Sequence, residues 1–79
     1  MEKLQISLAA ARVNAGKTQQ ETAAFMRVSK QTVVFWEKGR TEPKASQALA
    51  LADFYNIPLD NIFLPKKSNG IESAATENE

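Results

Sequence analysis

Apolar positions recur along the chain at helical rather than strand spacing. Leu4, Leu8, Ala11 and Ala15 fall on one face, with Ile6, Ala10 and Val13 widening the stripe, and predict a first helix over residues 1–14. Ala15-Gly16-Lys17 ends it. Residues 19–26 predict a second, shorter helix in which Ala23 and Met26 face the core and Phe25 lies half buried. In residues 30–38, Val33 and Trp36 stand one turn apart and point inward, with Trp36 as the aromatic anchor. Residues 45–55 are the most apolar segment: Ala45, Ala48, Leu49, Leu51, Ala52, Phe54 and Tyr55 leave little polar face and predict the central core helix. Pro58 opens a short fifth helix over residues 59–63, and Pro65 stops it.

The boundaries of the second and third helices are the most explicit. Thr18 with Glu21 three residues on makes a capping box, in which each side chain satisfies a free backbone N–H of the other residue. Ser29 is a good N-cap for the third helix, and Gly39 ends it in a left-handed conformation that costs glycine little. Pro43 can open the fourth helix, Lys44 is a weak cap for it, and Asn56 suits a left-handed end. Phe25-Met26-Arg27-Val28 leaves room only for a sharp corner, and Ala23 is small enough for a close crossing. Two short helices joined at a steep angle, the second capped and projecting, form a helix-turn-helix. By elimination Lys30, Gln31, Val34 and Phe35 face outward, with Thr32 at their edge. When such a helix enters a major groove, lysine can read guanine O6/N7 and glutamine adenine N6/N7.

Composition narrows the function classes. The 79 residues make one domain, divided here into residues 1–65 and a polar, acidic tail at 66–79 that reads as disordered. There is no histidine or cysteine, which removes the commonest general base and metal ligand and any thiolate site. With no glycine-rich phosphate loop or clustered carboxylates either, no catalytic set can be named, and neither a cofactor nor a metal is expected. No apolar run is long enough to span a bilayer and no secretory signal is evident, so a cytoplasmic protein is expected. Net charge is only +1, but it is unevenly spread. Residues 1–67 hold ten basic and six acidic side chains; residues 68–79 hold three acidic and none basic. A basic body suits a polyanion, although an ordinary solvated surface would also carry these charges.

These residues resemble the Cro/repressor-type, Xre-like helix-turn-helix regulators. The likeness is carried by Arg12, by Thr18-Gln19-Gln20-Glu21-Thr22-Ala23, by Val28-Ser29-Lys30-Gln31-Thr32-Val33 and by Trp36-Glu37-Lys38-Gly39-Arg40. Glu42-Pro43 and the run from Tyr55-Asn56-Ile57-Pro58 through Leu59-Asp60-Asn61-Ile62-Phe63 extend it in register. The resemblance implies an all-α, five-helix, lambda-repressor-like DNA-binding domain with its helix-turn-helix in helices two and three. It implies a structural ion pair between Arg12 and Glu37, with a phosphate contact by Arg12 as the alternative. It implies phosphate contacts from Gln19, Ser29, Thr32, Lys38, Arg40 and Lys44; Gln19 could equally be a tolerated first-turn residue and the three cations plain surface charges. It implies base reading by the outward face of helix three.

Departures from the family pattern bear on these expectations. Thr22 replaces a larger aliphatic residue at some cost in packing. Arg27 stands where glycine or asparagine is preferred, so a left-handed turn there carries strain. Val34 and Phe35 replace polar or basic residues. They could meet thymine methyl groups, form a protein-binding patch, or fold back half buried with no functional role. The resemblance further implies a homodimer through the carboxy-terminal region, with Leu59, Ile62 and Phe63 as contacts, although core packing accounts for Ile62 and Phe63 equally well. The expected function is sequence-specific binding of double-stranded DNA by a transcriptional regulator, a repressor of phage or bacterial type acting by operator occupancy. The alternative is a protein-interaction module on the same fold, antirepressor- or antitoxin-like, using the Val34/Phe35 face.

Overall fold

The computed structural model describes residues 4–64. A short strand β1 (Ile6–Ser7) leads into four helices: α1 (Leu8–Asn14), α2 (Gln19–Met26), α3 (Lys30–Lys38) and α4 (Ala45–Phe54). A single 3-10 turn (Leu59–Asn61) and a second short strand β2 (Ile62–Phe63) follow. The architecture is all-α with a two-residue parallel clasp, in which Ile6 lies opposite Ile62 and Ser7 opposite Phe63.

Two elements differ from the sequence expectation. The first helix begins at Leu8: Ser7 takes an extended conformation and its Oγ accepts the Ala10 N–H, so the chain before it is strand. Leu4, before the helix, is consequently exposed; Val13, within α1, is exposed as well, so the apolar stripe is narrower than expected. The fifth helix is only one 3-10 turn; from Ile62 the backbone is extended and pairs with β1. Branched Ile6 and Ile62 suit the pleated pairing. Two side-chain amides extend it, Gln5 Nε2 donating to the Asp60 carbonyl at 3.1 Å and Asn61 Nδ2 to the Leu4 carbonyl at 2.9 Å. The expected start of helix one at Met1, and the disordered tail from Lys66, lie outside the described residues.

The core joins Leu8 and Ala11 of α1, Ala23 of α2, Val33 and Trp36 of α3, Leu51 and Ala52 of α4, and Tyr55 and Ile62 beyond it. Thr22 is wholly buried but fully occupied: its hydroxyl donates to the Thr18 carbonyl at 3.0 Å and accepts from the Tyr55 hydroxyl at 3.2 Å. Phe25 is half exposed and stacks on Phe54, ring centroids 4.1 Å apart, with Lys17 Nζ over the Phe54 ring at 4.7 Å.

One device closes all four helices. Gly16, Arg27, Gly39 and Asn56 are left-handed. After each, an N–H reaches back five residues: Lys17 to Arg12, Val28 to Ala23, Arg40 to Phe35 and Ile57 to Ala52. This is the Schellman closure, which satisfies otherwise orphaned carbonyls.

Candidate nucleic-acid interface

The site is built on α2 and α3. The capping box forms in full, with the Thr18 N–H donating to Glu21 Oε1 at 2.8 Å and the Glu21 N–H to Thr18 Oγ1 at 2.9 Å. The hydrogen bond from the Thr18 backbone N–H, above all, holds the Glu21 carboxyl below its ordinary value. Arg27 turns the chain in the left-handed region, at φ 61° and ψ 42°. Ser29 then caps α3, its Oγ accepting the Thr32 N–H at 3.1 Å and lying 3.0 Å from the Thr32 hydroxyl. Val33 and Trp36 lock the inner face of α3 into the core.

That anchoring leaves Lys30 and Gln31 exposed at the start of α3, with Lys38 exposed at its end. Val34 and Phe35 are half-buried, and the Arg40 guanidinium lies 5.7 Å from the centre of the Phe35 ring. Phe35 is therefore neither free nor part of the core; it forms a cation–π pair with Arg40, just past the end of α3. Arg40 and Lys44 are exposed, and Ser29 is exposed at its cap. The Lys44 side chain does not cap α4; instead Gln47 Oε1 accepts the Lys44 N–H at 2.8 Å.

Behind this face, Arg12 donates through Nε to Glu37 Oε2 at 2.7 Å and through a terminal nitrogen to Oε1 at 3.4 Å. Its other terminal nitrogen donates to the Lys17 carbonyl at 3.0 Å. The two side chains retain only 15% and 8% of their exposure, so the guanidinium is committed inside the fold. Gln19 Nε2 also donates to Glu37 Oε1, at 3.0 Å. This third bond to Glu37 spans 18 residues of sequence and has no local signal, so sequence reasoning missed it. The Phe25–Phe54 stack, between α2 and α4, was missed for the same reason; the Arg40–Phe35 contact is local, and its signal was a cation five residues after an aromatic, across the end of α3.

At the carboxy-terminal end, Ile62 is 4% exposed and opposite Ile6, so it belongs to the core and not to a dimer contact. Phe63 is exposed and Leu59 partly so. Leu49, unexpected from an all-apolar helix, is also exposed and borders a shallow groove of about 410 Å³ with Pro43, Ala48, Leu59 and Leu64. Among the described residues no group of His, Cys, Asp or Glu could hold a metal ion, and no helix is long and apolar enough to cross a membrane.

A capped pair of helices at a tight corner, with the second presenting a polar start, defines a helix-turn-helix domain. The helix-turn-helix family model matches residues 8–62, from the first residue of α1 into β2. The chain belongs to the Cro/repressor-type, Xre-like helix-turn-helix family, a class of DNA-binding transcriptional regulators. It is 34% identical over 47 residues to an uncharacterised HTH-type transcriptional regulator of Methanocaldococcus jannaschii, covering 60% of this chain and 71% of that protein. It is also 34% identical over 53 residues to an uncharacterised HTH-type transcriptional regulator of Archaeoglobus fulgidus, covering 67% and 76%. No solved structure matches.

Proposed function

We propose that this protein is a cytoplasmic, sequence-specific double-stranded-DNA-binding regulator that acts as a repressor by occupying a two-fold operator as a homodimer. The observation that carries this reading is the exposure of Lys30 and Gln31 on a helix whose opposite face is fixed by Val33 and Trp36. Lys30 and Gln31 read base edges, with Val34 and Phe35 supplying apolar contact to thymine methyls. Ser29, Thr32, Lys38, Arg40, Lys44 and Gln19 hold the sugar-phosphate backbone and set the register. Leu59 and Leu49, which border the apolar groove, together with the exposed Phe63, are the dimer surface; Ile62 is excluded by its burial.

A second reading, a protein-interaction module, is favoured by the half-buried Val34–Phe35 pair and the half-exposed Phe25 ring. Salt separates the two. Binding to duplex DNA, followed by fluorescence anisotropy from low to physiological salt, should weaken steeply as phosphate contacts release counterions, by about 0.9 log units per contact per tenfold salt. Binding that is absent, or insensitive to salt, would contradict the DNA reading and favour a protein partner.

A further inference from the structure

We infer that Glu37 is a positioning residue for DNA, acting through Gln19. This rests on the DNA-binding reading above and adds a part to it. Glu37 gathers three donors: two from Arg12 and one from the Gln19 carboxamide. A carboxamide nitrogen carries two N–H groups. In Gln19 one is engaged by Glu37 Oε1, which fixes the rotation of the amide and leaves the second to donate. Gln19 is the first residue of α2, directly after the Thr18 cap, and its side chain is half-buried, so it retains access to solvent. An anionic carboxylate close behind such a donor would repel a phosphate. The Arg12 guanidinium, at 2.7 Å, cancels that charge. The same guanidinium holds the Lys17 carbonyl, so α1, α2 and α3 meet at one carboxylate and the connection into α2 is tied to it through Arg12. The network therefore presents Gln19 to a phosphate already oriented, and the ordering is complete before DNA arrives.

The test compares wild type with Gln19→Met, Glu37→Gln and the double variant, each checked for folding by urea denaturation and then titrated on a bound duplex and on unrelated duplexes. Gln19→Met should weaken binding about tenfold on every duplex. The salt slope should stay unchanged, because a neutral donor adds no cation to the contact. Glu37→Gln leaves one acceptor oxygen, for Arg12 Nε, and an NH2 that cannot accept in place of Oε1, so Arg12 loses one of its two bonds and Gln19 loses its partner; at a salt concentration that screens the uncancelled Arg12 charge, binding should fall by a similar factor. The double variant should be no weaker than the weaker single variant. Additive losses, or an unchanged affinity in either single variant, would overturn the inference. Should Glu37→Gln fail to fold, the wild-type protein still decides it: by NMR the Gln19 side-chain amide protons should be well separated in the free protein, one of them protected from exchange by Glu37, and the other should shift on adding the duplex. Unmoved Gln19 amides in a protein that binds the duplex would refute the positioning role alone. A wild type that binds no duplex would remove the DNA reading and this inference together.

Discussion

Tyr55 and Thr22 illustrate how a single polar pair is accommodated in a small core. Both are buried, and the tyrosine hydroxyl donates to Thr22, whose own hydroxyl donates to the Thr18 carbonyl. A threonine in place of an aliphatic residue thus leaves no orphaned group. Burial pushes the Tyr55 hydroxyl above its ordinary 10.0. The folded protein therefore holds that proton more tightly than the unfolded chain does. The resulting stability is present below the ordinary tyrosine range and is lost as pH rises through the folded value. Tyr55→Phe should cost about 1 kcal/mol at neutral pH and should flatten the alkaline decline. Urea unfolding of both proteins from pH 7 upward checks this, and an identical alkaline decline in the variant would contradict it. In the DNA reading proposed above, Lys30 reads a base edge. Lys30→Ala should relax preference at one base pair and cost about 1–3 kcal/mol on the preferred duplex. A uniform loss on all duplexes, with a shallower salt slope, would make Lys30 a phosphate contact.

At the scale of elements, the helix ends were the most legible part of the chain. Thr18 with Glu21, Ser29, Gly39 and Asn56 all mark ends that the structure has, because capping is a local interaction read from three or four neighbouring residues. Arg27 was legible as a strained corner, and it is left-handed. Its relief makes a prediction: Arg27→Gly should stabilise the protein by about 0.5–1 kcal/mol, since glycine adopts this conformation without the Cβ clash. A lower urea midpoint in the variant would show that the arginine side chain contributes more than its backbone costs. The clasp was not legible. Leu4, Leu8, Ala11 and Ala15 keep helical spacing whether or not the chain before Leu8 is helical. The partner of Ile6 lies at Ile62, on the far side of the sequence. Pairing over such a distance leaves no periodic trace in two-residue strands.

Taken whole, the molecule is a small all-α body whose exposed α3 face and flanking cations Lys38, Arg40 and Lys44 lie on one continuous stretch of chain. The exposure of Lys30 and Gln31 was legible by elimination, once Val33 and Trp36 were assigned inward, whereas Val34 and Phe35, read outward in the same way, are half-buried. What was not legible were contacts between distant elements: Gln19 on Glu37, and the pairing of Ile62 with Ile6, which decides between the two sequence readings of Ile62 in favour of the core. These depend on how the helices cross, which no local pattern encodes. The central claim is that this body reads a DNA sequence as a symmetric pair, and selection of bound duplexes from a randomised pool tests it most directly. The account predicts an enriched two-fold motif with half-sites about one helical turn, ~34–36 Å, apart. A pool that returns no motif after repeated rounds would contradict it.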